Sequence, residues 1–122
     1  MSSDFKNLVA WQKAMDLVDA VYEVTRKFPR EEMFGHTSQL QRAAVSIPSN
    51  IAEGQARFSK PDFQRFLRIA RGSLAEVQTQ LLIAERRGYL ASAKCRALEV
   101  QIEELARIIN GLLRSIKEDL EP

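Results

Sequence analysis

Apolar residues recur every three or four positions along most of this chain, which is the spacing that places side chains on one face of an α-helix. Four segments show the pattern, and the residues between them include the prolines, glycines and capping residues that begin and end helices. The pattern predicts helices at about residues 7–28, 37–54, 60–87 and 92–118.

The first predicted helix has an apolar arc that is wider than contact with one neighbouring helix requires. One stripe contains Trp11, Met15, Val18, Tyr22 and Thr25, and an adjacent stripe contains Ala14, Leu17, Val21, Val24 and Phe28. Asn7 is the expected N-cap, and Pro29 ends the helix because a proline drives the residue before it out of the helical conformation. Met33 and Phe34 lie in the connection that follows, and we expect them to fold back over the core.

The second predicted helix has an apolar face, a polar stripe and an internal proline. The apolar face contains Leu40, Ala44, Ile47 and Ile51. The polar stripe contains Arg42, Ser46, Ser49 and Glu53, and we interpret it as a contact with another subunit. Pro48 cannot donate a hydrogen bond to the Ala44 carbonyl, which costs about 3 kcal/mol in a helix interior. We expect the hydroxyl of Ser46 or Ser49 to satisfy that carbonyl.

The third and fourth predicted helices have recognisable first residues. Ser59 caps the third helix, as Thr37 or Ser38 caps the second and Ser92 the fourth. Gly72 lies in mid-helix, where glycine costs about 1 kcal/mol relative to alanine, so we expect another helix to approach closely there. The seam of the fourth helix contains Leu98, Ile102, Leu105, Ile109, Leu112 and Ile116, spaced alternately by four and three residues.

These four segments predict an all-α protein with the fold of an antiparallel up-down-up-down four-helix bundle. Short connections place successive helices side by side in opposite directions. The expected domain organisation is a single domain over residues 1–122. A helical hairpin array is the alternative arrangement.

Composition favours a cytoplasmic protein with no membrane anchor. No stretch approaches the ~20 apolar residues of a transmembrane helix, and the first residues lack the apolar core of a signal peptide. Cys95 is the only cysteine, so an intramolecular disulfide is excluded and a reducing cytoplasm is the simplest setting. Because the net charge is only +2, a nucleic-acid surface would have to arise from the local placement of charges.

No set of residues in the sequence is typical of a catalytic or metal site. His36 is the only histidine, no glycine-rich elbow surrounds a serine, and the Glu-x-x-His motif of metal-binding bundles is absent. Cys95 has no partner base, so we interpret it as a buried or incidental thiol. We therefore expect a protein that is not an enzyme and that holds no metal and no cofactor.

The strongest local charge lies around the start of the third helix. The basic segment, Arg57, Lys60, Arg65, Arg68 and Arg71, is opposed only by Asp62 within fifteen residues, a local charge of +4. This segment is a candidate phosphate-binding surface for RNA or DNA, with Phe58 and Phe63 available to stack on bases. Two alternatives remain open: a solvated face, and a basic face that pairs with the acidic face of another subunit.

Surplus apolar residues favour self-association of the chain into a homo-oligomer. Some of these residues lie in the wide apolar arc of the first helix. Six others lie off the main apolar seams: Ile69, Leu82, Ile83, Val100, Ile108 and Leu113. Apolar area of this kind usually marks an interface. The alternative is a broad core within one chain.

A long central motif resembles that of a known family. The motif reads Arg42-Ala43-Ala44-Val45-Ser46-Ile47-Pro48-Ser49-Asn50-Ile51-Ala52-Glu53-Gly54, accompanied by Trp11, Phe28-Pro29, Phe34-Gly35, Arg57, Gly72-Ser73 and Gly88-Tyr89. In these residues the chain resembles the four-helix-bundle proteins encoded in the intervening sequences of bacterial 23S ribosomal RNA genes. It is also similar to the accessory variability protein of diversity-generating retroelements.

This resemblance implies a left-handed up-and-down bundle, a cyclic homopentamer and a basic surface. For the retroelement relatives it implies binding of nucleic acid and of a reverse transcriptase, whereas no established activity accompanies the intervening-sequence proteins. Gln41 stands where the resemblance leads us to expect a basic residue, and His36 stands where an aliphatic residue is common. One basic contact of the relatives is therefore missing from this chain.

Two functional hypotheses follow. The first is a non-enzymatic oligomer that binds RNA or another nucleic acid through the basic segment. The second is a structural or protein-interaction oligomer, for example an accessory to a reverse transcriptase, in which the same charges serve contacts between proteins.

Overall fold

Four long helices make up most of the protein. The computed structural model describes residues 4–121. The helices are α1 (Val9–Thr25), α2 (His36–Ala56), α3 (Lys60–Arg86) and α4 (Ser92–Leu120), with short 3₁₀ turns at Phe5–Asn7 and Arg30–Glu32. No strand occurs within residues 4–121, so the prediction of an all-α protein with four helices is confirmed. No helix in this range is both long and apolar enough to cross a lipid bilayer.

The first residues of α1 and α4 differ in detail from the capping predictions. α1 begins at Val9, and the predicted cap, Asn7, belongs to the preceding 3₁₀ turn. α4 begins at Ser92 itself, and Ala91 occupies the capping position without a side-chain hydrogen bond. Both predicted caps are therefore wrong.

The beginning of α2 is stabilised from the preceding turn. α2 begins at His36, and Gly35 occupies the capping position that was predicted for Thr37 or Ser38. The Glu32 carboxylate accepts a hydrogen bond from the His36 amide at 3.4 Å. A residue four positions earlier in the chain thus satisfies one of the free amides of the first turn, and the prediction of Thr37 or Ser38 as the cap is wrong.

All four helices bury one face in a common core. The largest side chains with almost no exposure are Leu17, Val21, Leu40, Ile47, Ile51, Leu67, Val77, Leu81, Cys95, Leu105 and Ile109. Leu113, predicted to be surplus, is buried in this core, whereas Leu112 of the predicted seam is half-buried beside it. The apolar seam of α4 therefore shifts by one residue near its end.

Each helix contacts two others around this core. The contacting pairs are α1 with α2, α2 with α3, α3 with α4 and α4 with α1. Polar contacts between α3 and α4 come in opposite order along the two helices. They are Lys60–Asp119, Arg71–Asn110, Gln78–Glu99 and Glu85–Arg96.

The close approach of two helices occurs at Gly54, not at Gly72. Apart from the backbone of its own helix, no part of residues 4–121 lies within 4 Å of a Cβ built on Gly72, which is exposed, so the prediction of a close contact there is wrong. A Cβ built on Gly54 would lie 2.7 Å from the Cβ of Phe66 and 3.0 Å from Cδ1 of Phe63. α2 and α3 therefore meet where Gly54 has no side chain, and α2 continues past it to Ala56.

Pro48 is buried inside α2, and the nearby hydroxyl groups bond to carbonyls adjacent to the one it leaves free. Ser46 Oγ donates to the Ala43 carbonyl at 2.8 Å, and Ser49 Oγ donates to the Val45 carbonyl at 2.8 Å. The expectation that one of these hydroxyls bonds to the carbonyl freed by the proline is wrong. Each serine instead bonds back to its own preceding turn, a bond that often bends helices.

Polar and aromatic contacts join the two connections at one end of the molecule. The Tyr89 hydroxyl donates to Glu32 Oε2 at 2.9 Å, and His36 Nε2 donates to the Gln80 carbonyl at 2.9 Å. The ring centroids of Phe28, His36 and Tyr89 lie 5.5–6.1 Å apart. The α1–α2 connection is thereby attached to the α3–α4 connection, and the first residue of α2 is attached to α3.

Met33 and Phe34 do not cover the core. Met33 is 50% exposed and Phe34 is 92% exposed. The expectation that they fold back is therefore wrong, because Phe28 and Tyr89 already fill this end of the core.

Candidate nucleic-acid interface

The first turn of α3 sets the direction of the basic segment. Ser59 Oγ accepts a hydrogen bond from the Asp62 amide at 3.3 Å, and Pro61 lies in the same turn. This confirms the predicted Ser59 cap. Phe58, just before it, has a φ of +54°, a conformation that bulky residues rarely adopt. The chain therefore turns sharply between α2 and α3, and Lys60 begins the new helix.

All five side chains of the basic segment are exposed, and ion pairs divide them into two groups. The ion pairs are Arg57–Glu53 at 2.9 Å, Lys60–Asp119 at 3.1 Å and Arg65–Asp62 at 3.8 Å. Arg68 and Arg71 form no ion pair with any residue in the range 4–121. These two guanidinium groups carry the uncompensated part of the local charge.

Phe66 holds two of the paired arginines in place. The guanidinium carbon of Arg65 lies 4.6 Å from the centre of the Phe66 ring, and that of Arg57 lies 5.2 Å from it. Phe66 itself is buried, so both cations lie over a fixed aromatic surface. Arg57 and Arg65 are thus each bound to a carboxylate and to a ring.

The two aromatic residues proposed to stack on bases have different positions. Phe63 packs against the core and is half-buried, so it is chiefly a core residue. Phe58 is 68% exposed and lies beside a surface cavity of about 280 Å³ whose lining also includes Gly54 and Ile116. Phe58 is therefore the aromatic side chain of this region that a ligand can reach.

The polar stripe of α2 is largely occupied by contacts within the chain. Ser46 and Ser49 bond to carbonyls of α2, and Glu53 pairs with Arg57. Arg42 is exposed and forms no ion pair in the part of the chain that the structure describes. Of the four residues predicted to contact another subunit, Arg42 alone has a charge without a partner of opposite sign.

An apolar strip runs along the outer junction of α1 and α2. This α1–α2 strip contains Trp11, Met15, Val18, Tyr22, Val45 and Ala52. Met15, Tyr22 and Val45 are 38%, 46% and 40% exposed. A shallow cavity of about 350 Å³ follows the strip, with Pro48 in its wall. The apolar pattern of the sequence predicted its α1 residues but not Val45 and Ala52, which recur at a seven-residue spacing on α2.

The remaining surplus apolar residues are distributed over α3 and α4. Ile69, Leu82 and Ile83 on α3 are 43%, 37% and 45% exposed, and Val100 on α4 is 62% exposed. Ile108 is half-buried against the core. Five of the six residues are thus at least partly accessible, and Leu113 is not.

Cys95 is the one nucleophilic thiol of the chain and is fully buried. Burial raises the pKa of its thiol, while a hydrogen bond from Arg96 to Sγ at 3.2 Å acts in the opposite direction. A thiol with a raised pKa and no access to solvent is a poor nucleophile. Among residues 4–121, no group of three histidine, cysteine or carboxylate side chains is placed to hold a metal ion.

Comparison with known proteins identifies a family. The model of the family described as 23S rRNA-intervening sequence protein matches residues 6–111. The matched range includes α1, α2, α3 and most of α4. No match is found among curated proteins.

Proposed function

This chain belongs to the 23S rRNA-intervening sequence protein family, and from that premise we propose that it is a non-enzymatic, oligomeric protein that binds RNA or another nucleic acid. The proposed ligand surface is the basic segment. The proposed assembly is a cyclic homopentamer of antiparallel up-down-up-down bundles in the cytoplasm. The opposite order of the α3–α4 contacts supports the antiparallel arrangement.

One observation carries the nucleic-acid proposal: all five basic side chains are exposed, and two of them have no carboxylate partner within residues 4–121. Arg68 and Arg71 are free to neutralise phosphates without first losing an ion pair. Phosphate neutralisation releases condensed counterions, so binding of this kind must weaken steeply with salt.

The test is binding of a labelled RNA hairpin, followed by fluorescence anisotropy at 50 and 200 mM salt. We expect measurable affinity at low salt that falls as salt rises, and weaker binding by the Arg65→Glu/Arg68→Glu variant. The double variant Arg26→Glu/Lys27→Glu makes the same change of charge away from α3 and should bind more tightly than the α3 variant. Absence of binding at low salt, or binding that does not respond to salt, would contradict the proposal.

The α1–α2 strip favours a second candidate, a protein-interaction oligomer without nucleic-acid binding of its own. Contiguous exposed apolar area marks contacts with proteins, and here it lies beside the unpaired Arg42. The partner would be another copy of the chain or a protein such as a reverse transcriptase.

The assembly mass separates the two candidates. If the α3 charges serve subunit pairing, the Arg65→Glu/Arg68→Glu variant should change the mass measured by light scattering. An unchanged mass together with lost RNA binding would count against the second candidate.

A further inference from the structure

Unpaired arginines also occur on α4, next to those of α3. Arg107 and Arg114 are exposed, and neither belongs to an ion pair with another residue of 4–121. They share this property with Arg68 and Arg71. In contrast, the cations at both ends of the α3–α4 junction, Lys60 and Arg96, are paired with carboxylates.

A hydrogen bond between the helices brings the two pairs of arginines together. Arg71 Nη1 donates to Asn110 Oδ1 at 3.0 Å. Arg107 and Arg114 lie three residues before and four residues after Asn110, and residues at these spacings share one face of a helix. Arg114 also turns back along α4, since its Nη2 lies 4.0 Å from the position that a Cβ on Gly111 would occupy.

The contacts between α3 and α4 determine how the four arginines are arranged. The contacts run in opposite order along the two helices, so residues that precede Arg71 on α3 lie beside residues that follow Asn110 on α4. Arg68, one turn before Arg71, therefore lies at about the same height as Arg114. Arg107 and Arg114 are separated by about 10 Å along α4 at 1.5 Å per residue. The four arginines therefore occupy three successive turns along the two helices, with Arg68 and Arg114 at one end, Arg71 in the middle and Arg107 at the other end.

Carboxylates limit this surface in both directions along α4. Glu103 precedes Arg107 by four residues, and Glu118 follows Arg114 by four residues. Both are exposed and form no ion pair within residues 4–121. An extended anionic ligand would therefore meet attraction over the arginines and repulsion beyond them, which confines its contact to a short length of backbone.

We propose that Arg68, Arg71, Arg107 and Arg114 form a phosphate-binding site for the sugar–phosphate backbone of RNA. This inference rests on the proposed function and gives it a site that spans two helices. A planar guanidinium group without a carboxylate partner can bind phosphate oxygens in a bidentate manner, and it loses no existing ion pair in doing so. Asn110 positions Arg71 at the centre of the site.

This site reads backbone and not base sequence. The exposed aromatic side chains among residues 4–121 are Tyr22, Phe34 and Phe58, and none lies on α3 or α4. Phe58 precedes α3 and lines a cavity with Lys60 and Ile116 that includes none of the four arginines. Without an aromatic platform, unpaired bases have no ring on which to stack. Hairpins of the same length and different sequence should consequently bind with similar affinity.

The experiment compares two double variants that remove the same charge. Arg107→Gln/Arg114→Gln removes the α4 half of the site, and Lys60→Gln/Arg65→Gln removes two ion-paired cations of the basic segment. Binding of a labelled RNA hairpin is measured from 50 to 200 mM salt, and the fold and mass of each variant are checked by circular dichroism and light scattering. Single Arg114→Gln serves the same purpose if the double variant does not fold.

The α4 variant should lose affinity roughly tenfold or more, and the slope of log K against log salt should become shallower by about two. The control variant should lose less affinity, and its slope should change less. An α4 variant with unchanged slope, or a control that loses more, would overturn this site while leaving the proposed function standing. A wild-type protein that does not bind the hairpin would overturn both.

Discussion

Gly54 and Gly72 are both glycines within helices, but tertiary packing requires a glycine only at position 54. Both lie within helices, where glycine costs about 1 kcal/mol relative to alanine. Gly54 is buried between α2 and α3, whereas Gly72 faces open space. The glycine at position 54 is required by packing, and the glycine at position 72 has no structural requirement within one chain.

Gly54→Ala should destabilise the protein and Gly72→Ala should stabilise it. The new methyl group at position 54 would lie 2.7 Å from the Phe66 Cβ, which cannot move without the backbone of α3. Overpacking of this kind costs about 1–3 kcal/mol, whereas an unobstructed glycine-to-alanine change in a helix gains up to about 1 kcal/mol. Urea unfolding measures the free energy of unfolding of both variants. A destabilised Gly72→Ala protein would indicate that a second molecule approaches α3 there.

Glu32 links the stability of one end of the molecule to pH. Its carboxylate accepts hydrogen bonds from the Tyr89 hydroxyl and the His36 amide, and these lower its pKa below the ordinary value of 4.5. A carboxyl whose pKa is lower in the folded state stabilises the protein above its unfolded pKa. That stabilisation is lost as the pH falls through the folded pKa.

Tyr89→Phe should reduce the dependence of stability on pH below about pH 4.5. The variant removes the hydrogen bond that lowers the pKa of Glu32 the most. Unfolding free energies from pH 7 to pH 3 would show a shallower acid decline than in the wild type. Tyr22→Phe, which changes a half-exposed tyrosine on α1, provides the control. Equal slopes for the two variants would argue against the Glu32–Tyr89 bond.

Among the helices, α3 and α4 are joined by a network around Arg96. Its guanidinium lies 2.7 Å from Glu85 of α3 and 2.7 Å from Glu99 of α4, and both carboxylates are about one-fifth exposed. Gln78 also donates to Glu99, at 3.3 Å. Partial shielding from solvent and several partners distinguish this network from an isolated surface ion pair.

Arg96→Gln should lower the urea midpoint of unfolding more than Arg26→Gln does. Among the residues that the structure describes, Arg26 pairs only with Glu23, at 3.5 Å, and both side chains are more than two-thirds exposed. Pairs of that kind contribute almost nothing measurable. Loss of Arg96 would also leave Glu85 and Glu99 without their cation. Equal midpoints for the two variants would show that the network does not stabilise the contact between α3 and α4.

For the whole molecule, the distribution of apolar and charged surface is uneven. The α1–α2 strip is apolar, while Arg68, Arg71, Arg107 and Arg114 lie on α3 and α4. Self-association through the strip would leave the arginines accessible to a ligand. Assembly and RNA binding are then separable by mutation.

Val45→Glu should lower the assembly mass measured by light scattering. A carboxylate in the middle of the strip would have to be desolvated in any contact that covers it, and removing a charge from water is strongly unfavourable. Val100→Glu makes the same change on α4, outside the strip, and should leave the mass unchanged. Both valines are exposed, so neither substitution creates a cavity in the core. If only Val100→Glu lowered the assembly mass, the interface would lie on α4 and not on the strip.

The number of helices, their approximate bounds and most of the core could be predicted from the sequence. Residues such as Leu74, Val77, Leu81 and Ala84 of α3 recur at helical spacing, and all are buried. This spacing is a local property, because residues three or four apart share a face of a helix whatever surrounds it. The cap at Ser59 follows from the same local rules.

Only the tertiary structure decided which residues meet across helices. Lys60 pairs with Asp119, and Arg71 bonds to Asn110, across separations of 59 and 39 residues. Such contacts depend on the rotation and height of each helix relative to its neighbours, which no local pattern encodes. For the same reason the sequence indicated a basic segment but not which of its arginines are unpaired, and it placed the close helix contact at Gly72 when packing requires it at Gly54.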